Sequence, residues 1–516
     1  MQQPEQVTAG QSQGKPAAAP AAEVKQGAIL RPVGSGVVTA AAQGALWLAL
    51  AACAAASLTA YAYWPGLMTW DPVRQYGEAL SGEITDWHPP MMQWVWQRLL
   101  AIHPGPAPML VLQLGLYWGG LALLAAAIRR DGRRGLAWAV LACGLLPLGM
   151  ALTGAILKDC VMAGALLAAT GLLAWRGGRG GASGLAAAAL LLFAATLRFN
   201  AFAACLPLLV ALLPRAWWRS WPRLLATAAV ATAMLVAAMP IANRLIGAEP
   251  SGVELSLVIF DLGGITEHGG ASVFPEEMAV RDPVRANHRC YNPNKWDSYS
   301  DWVEPECPLG FTAWNDDVAP DGVKPYPFWL RTVLTHPLPY AEHRLTHFAI
   351  NTRLLPLPDA TERPVPVTTA PNPWGFRVSD NRVLHLLDAL AVASAHTPLG
   401  WPIVWMAVAL GAAIAGWPRR RQGGKAASLA EGAWAEGQAT ARTRLIVPLA
   451  LSSLLYGCGY MVFSVASELR YHLWTELAAL LAAVLAAGGA PLPRRRLAWS
   501  CAPPVLAVLA CIATRV

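Results

Sequence analysis

From residue 40 onward, hydrophobic positions fall in long runs near the ~20 residues a helix needs to cross hydrocarbon, broken by polar stretches. The runs predict spanning helices over 40–62, 107–128, 135–155, 160–175, 182–198, 200–214, 224–246, 398–417, 445–465, 471–489 and 497–513. The expected fold class is an all-α polytopic membrane protein with about eleven transmembrane helices.

The connections are of two kinds. One kind is basic: Arg129 to Arg134, Arg176 to Arg179, Arg215 to Arg223, Arg419 through Arg444, and Arg494 to Arg496. The other is acidic or mixed: 63–106, the Lys158-Asp159 corner, the Arg198-Asn200 corner, 247–397, and Glu468 to His472. They alternate without a break if the N-terminus is cytoplasmic, as the positive-inside rule requires. Residues 1–35, rich in Gln, Ala, Pro and Gly, are expected to form a disordered cytoplasmic tail. An N-terminal transmembrane core follows over 36–246, with a first outer loop at 63–106, and C-terminal helices occupy 398–516. The intervening 247–397 is too long for a structureless loop and is expected to be an extracytoplasmic domain of mixed short elements.

Composition agrees with the pattern. The 516 residues are 55% hydrophobic and 14% charged, where a soluble protein carries about 25% charged residues. The net charge of +8 comes from short Arg clusters between apolar runs, so it indicates membrane topology and no nucleic-acid partner. Of nine cysteines, Cys290 and Cys307 alone lie in 247–397. In an oxidising compartment a disulfide between them would close a loop of ~17 residues, worth about 3 kcal/mol on the chain-entropy model; the alternative is two free thiols. The other seven sit in or near apolar helices as packing residues.

Charged side chains at membrane depth are costly and are functional candidates by default. Asp71, Glu78, Asp86 and His88 belong to the first outer loop, Lys158 and Asp159 to the next mixed corner, Arg198 and Asn200 to a third, and Glu468, Arg470, Tyr471 and His472 to a fourth. On the predicted topology all project to one membrane face. Each has a plainer explanation. Arg198 and Arg470 suit interfacial anchoring, and His472 alone reads as structural. Lys158 and Asp159 suggest a snorkelling pair, although adjacent helical residues do not face each other. Asp71 suits the cap of a short helix over 73–80. His88 precedes Pro89-Pro90, which favours an extended conformation.

The stretches YWPGLMTWDPVRQY…DWHPP (from Tyr63), GAILKDC, LRFNAF and SELRYH resemble those of bacterial multi-spanning proteins of the C-type (GT-C) glycosyltransferase class, which includes protein O-mannosyltransferases and lipid A aminoarabinose transferases. The chain departs in having Pro72 where that class has Ser. The resemblance implies an enzyme of the bacterial inner membrane, its active site facing the periplasm. It would move a sugar from a polyprenyl-phosphate carrier to a hydroxyl of an envelope glycan, lipid or protein, with Asp71 as general base. The chemistry asks for the same parts: a hydroxyl needs a positioned carboxylate to take its proton, and a phosphate leaving group needs cations. Lys158, Arg198 and Arg470 are the candidate clamp, and Asp86, His88 and Asp159 would orient hydroxyls. Asp71, Asp86 and His88 show no tight metal-ligand spacing, so no metal and no cofactor beyond the lipid-linked donor substrate are expected. A transporter or lipid flippase is the competing class, and an envelope scaffold a third.

Overall fold

The computed structural model describes residues 35–175, 181–358, 363–417 and 440–516. The expected tail and the basic stretches 176–179 and 419–421 lie outside the described residues. The chain opens with α1 (Ser35–Tyr63), two short helices α2 (Trp70–Ser81) and α3 (Met91–Leu99), and then α4 (Ala107–Arg130), α5 (Arg134–Ala142), α6 (Pro147–Gly154) and α7 (Lys158–Trp175). α8 (Ala182–Ala195), α9 (Ala201–Leu212) and α10 (Trp221–Ile246) follow. The segment 247–397 holds α11 (Glu254–Gly269), α12 (Pro283–Cys290), a single turn α13 (Phe311–Ala313), α14 (Pro325–Thr335), α15 (Pro337–Asn351) and α16 (Arg382–Ala395). The chain ends with α17 (Pro402–Gly416), α18 (Ala441–Phe463), α19 (Leu473–Ala487) and α20 (Arg494–Ala513).

The protein is thus an all-helical, multi-pass membrane protein; among the described residues there are isolated β-bridges but no strand. Among the described residues seven helices are long and apolar enough to cross a bilayer, and Arg134–Leu145 with Pro147–Gly154, bent by 56°, makes an eighth if counted as one span. This is fewer than the eleven expected. The remaining apolar segments form helices of 10–17 residues, Ala182–Ala195, Ala201–Leu212 and Pro402–Gly416, short of the ~20 residues that cross hydrocarbon without tilt or thinning.

Small residues let the bundle close. A Cβ at Gly120 in α4 would stand 2.5 Å from the backbone nitrogen of Ala168 in α7, so these two helices touch backbone to backbone. Gly154 makes room for a side chain where α6 ends: a Cβ there would meet the Tyr63 ring at 2.1 Å. That contact fixes the end of α1 against the turn before α7.

The segment 247–397, expected to mix short elements, is built of short helices; its part from Leu255 to Trp329 has a hydrophobic cluster of its own, while Leu384, Leu387 and Ala391 of α16 pack into the main core. Val258, Ile259, Phe260, Tyr299, Trp314 and Val318 are buried together, with Trp87 from the first polar loop packed against them. Cys290 and Cys307 form the expected disulfide, their Cα atoms 5.9 Å apart. The seven other cysteines are free.

Candidate active site

Three short backbone contacts carry distant parts of the chain to one place. Leu67 pairs with Ala155, its N–H donating to the Gly154 carbonyl at 3.2 Å and its carbonyl accepting from Ile156 at 2.8 Å. This sets the start of α2, and Asp71 on it, beside the start of α7 and Lys158. Trp296 donates to the Val465 carbonyl at 2.9 Å, which brings the 295–302 turn to the stretch before Glu468 and Arg470. Ala370 donates to the Met68 carbonyl at 2.8 Å, laying the 363–370 strap along the same side.

The non-helical stretch 464–467 offers carbonyls that no helix satisfies, and side chains from α15 and the residues just after it take them up. Arg344 donates to the Ser464 carbonyl at 2.6 Å, Asn351 to the Ala466 carbonyl at 2.9 Å, and Arg353 to the Ser467 carbonyl at 3.0 Å. The loop that presents Arg470 is therefore held by fixed donors.

Asp71 lies in the first turn of α2. Thr69 holds the N-cap place, so the capping role suggested for Asp71 is not the one observed. Pro72 fits because a first-turn N–H has no helical partner to lose. The Asp71 carboxylate meets three groups from three other segments. Arg470 Nη1 is 3.0 Å from Oδ2, Lys158 Nζ 3.8 Å from Oδ2, and His88 Nε2 3.8 Å from Oδ1. Lys158 also lies 2.9 Å from His88 Nδ1. An ammonium can only donate, so Nδ1 accepts and the neutral ring carries its proton on Nε2, facing Asp71. Burial, with the Lys158 charge second, pushes the His88 imidazole down to about 3, in keeping with that neutral form. Burial by itself would raise the Asp71 carboxyl. The charges of Arg470 and Lys158 outweigh it and hold the group well below the usual carboxylate range.

Arg470 is oriented by Glu468, which lies 2.5 Å from Nε through one oxygen and accepts from Nη2 at 2.8 Å through the other. Its guanidinium also sits 5.4 Å from the Tyr471 ring. Next to it, Arg198 pairs with Asp159 and lies 4.2 Å from the centre of the same ring. Lys158 and Asp159 thus face different partners, as their adjacency in sequence requires. The Arg198–Asp159 pair braces the Tyr471 corner.

Asp71, Arg470 and Glu468 open onto a cavity of about 930 Å³, further lined by Arg74, Asp297, Trp302 and Arg353 and by the 363–368 strap. The volume is in the range of small-molecule sites.

Five expected site residues lie elsewhere: Arg198, expected in the cation clamp, and Asp159, expected to orient hydroxyls, are taken up by each other, and three more serve other contacts. Asp86 accepts from the Ser251 N–H and hydroxyl, both at 2.7 Å, and ties the first polar loop to the start of α11. His88, two residues further on and across a bend, turns instead to Asp71 and Lys158. His472 is fully buried and bonded to Asn351, so it supports the 464–467 stretch. Asn200 is buried against Gly459. Conversely, Asp297, Trp302 and Arg353 line the cavity without having stood out as site residues. Only Asp297 and Trp302 carried a signal, the aromatic-acidic WDSYSDW run. Among the described residues no group of three or more His, Cys, Asp or Glu side chains is placed to hold a metal ion. Comparison with protein-family models, curated proteins and solved structures finds no match for this chain.

Proposed function

We propose that the protein is a membrane glycosyltransferase that moves a sugar from a polyprenyl-phosphate carrier to an acceptor hydroxyl at the outer face of a bacterial inner membrane. One observation carries this reading: two cations and a neutral imidazole from three other segments converge on the Asp71 carboxylate, which lines a cavity of about 930 Å³ together with Arg470. The acceptor oxygen attacks the anomeric carbon, its proton passes to Asp71, and the bond from that carbon to the phosphate oxygen breaks with inversion. The electron pair leaves with the polyprenyl phosphate, whose charge Arg470 and Lys158 neutralise.

The ion pairs have a further meaning in this scheme. A carboxylate clamped by Arg470 and Lys158 is a weak base, and a general base works best with a pKa near the ambient pH. A donor phosphate competes for the same two cations. As they turn to it, the carboxylate regains basicity with the donor already in place. The predicted position of the site, at the outer leaflet, keeps the carrier's tail in lipid while its headgroup meets the cations.

Glu476 gives some support to the transport reading. It lies in the first turn of α19, 1% exposed, and one of its oxygens has no hydrogen-bond partner among the described residues. Buried acids of this kind occur in proton-coupled carriers. Purified protein in liposomes, given polyprenyl-phosphate sugars with radiolabel in the sugar, separates the two. Label appearing in acceptor with release of free polyprenyl phosphate supports transfer. Label crossing the bilayer still attached to its lipid supports a flippase and rejects the transferase.

A further inference from the structure

We propose that Asp297 and Trp302 form a carbohydrate-binding subsite on the wall of the cavity that also holds Asp71 and Arg470. The role of the bound sugar in transfer rests on the function proposed above; the subsite itself does not. Both residues come from one turn, WDSYSDW, whose first Trp is anchored by its N–H to Val465. A pyranose has an apolar face of C–H groups and a rim of hydroxyls, so a site for it needs a flat apolar surface beside strong acceptors.

Trp302 supplies the surface. Its ring is set edge-on to Trp87 at 5.9 Å and to Trp296 at 5.5 Å, which fixes its orientation, yet the residue is 53% exposed and lines the cavity. An indole held this firmly has little freedom left to lose when a ligand stacks on it. An interfacial anchor would face lipid, whereas Trp302 stands edge-on to Trp87 and Trp296, which belong to the buried cluster around Phe260 and Trp314.

Asp297 supplies the acceptors. Among the described residues no cation forms an ion pair with it, although Asp71, Glu468 and Arg470 line the same cavity. Burial, and then the neighbouring Glu468 charge, push its carboxyl up, so the anion is poorly stabilised and gains from hydroxyl donors. An acid serving only the fold would have been expected to find a partner, as Asp86 and Asp159 do.

The sugar is either the donor's or the acceptor's, and binding distinguishes them. Asp71→Asn protein, chosen to suppress turnover, is titrated with polyprenyl phosphate, with polyprenyl-phosphate mannose and glucose, and with free envelope oligosaccharides. A donor subsite makes the sugar-bearing lipids bind more tightly than the bare lipid; an acceptor subsite makes the free oligosaccharides bind. In either case Trp302→Ala and Asp297→Asn should each weaken the sugar-dependent part on the order of tenfold, the scale of one lost stacking or charged contact. Trp302→Phe should keep most of it, and bare-lipid affinity should not change. Asp297→Asn is nearly isosteric, so it decides the matter if Trp302→Ala also lowers the melting temperature. A sugar advantage absent in both arms, or present and untouched by both substitutions, overturns the subsite. Sugar binding that depends on these residues in a protein that transfers nothing would leave the subsite standing and remove the transferase.

Discussion

Asp261 in α11 lies 2.6 Å from Arg344 and 3.3 Å from His343, and accepts from the Trp329 indole at 2.7 Å. Asp71 in α2 has a similar company: an arginine at 3.0 Å, a lysine and a histidine. In both, burial opposes the anion and the neighbouring cations restore it. They differ in surroundings. The Asp261 side chain is 0% exposed and the Phe260 ring lies 4.6 Å from His343, whereas the Asp71 side chain is 28% exposed and opens on a cavity. On the function proposed here, the same ion-pair chemistry serves as an internal brace where no ligand can reach it and as a reactive group where one can. A charged cluster in a membrane protein is therefore identified as a site by the space beside it.

Removing the acid should separate the two most strongly. Asp261→Ala strands Arg344 and His343 in the core of the 247–397 segment, and a broken buried pair typically costs about 3–5 kcal/mol. Thermal unfolding in detergent is expected to shift down sharply, with little folded protein recovered. A near-native melting temperature would mean that Asp261 is not a brace. Next in size is Arg470, whose fork is shared between Glu468 and Asp71. Arg470→Ala should weaken binding of polyprenyl phosphate by ~2–5 kcal/mol, and Arg470→Lys should recover only part, because an ammonium cannot span both carboxylates. Full recovery in the lysine variant, measured by donor titration, would reduce Arg470 to an interfacial anchor.

Much of the site could be read from the chain because membrane proteins concentrate polarity where function needs it. Lys158 and Arg470 stand next to long apolar runs and Asp71 and His88 in the polar loop after the first, and these positions, with the short motifs around them, singled them out. Asp86 was misassigned because its nearness to His88 in sequence says nothing of facing; the structure sends it to Ser251. Asp297 and Trp302 lie in a segment with no apolar periodicity, brought to Asp71 by the bridge from Trp296 to Val465, a pairing across about 170 residues that no local pattern encodes. The number of spans fell short where the apolar runs are brief: composition marks 182–198 and 200–214 as hydrophobic, while length decides whether a helix crosses. Cys290 and Cys307 were legible because no other cysteine lies in their segment.

A smaller effect concerns acid. Burial depresses His343, and it pushes His347 and His88 down to about 3 from an ordinary 6.5. Below about pH 6.5 the unfolded chain binds protons that the folded one refuses, so stability should fall steadily as the pH is lowered towards 4. His347→Gln should flatten that slope through loss of the His347 contribution, read as melting temperature against pH. An unchanged slope would mean that His347 is protonated in the folded protein.

The comparison comes down to Asp71→Asn, assayed at matched amounts of folded, purified protein for sugar transfer from a polyprenyl-phosphate donor. The expected result is a melting temperature close to that of the parent, with transfer lowered about 10²-fold or more, the scale of losing a general base. Near-parental transfer by Asp71→Asn would contradict its role as the base, and a collapse in stability like that expected of Asp261→Ala would make it a second brace.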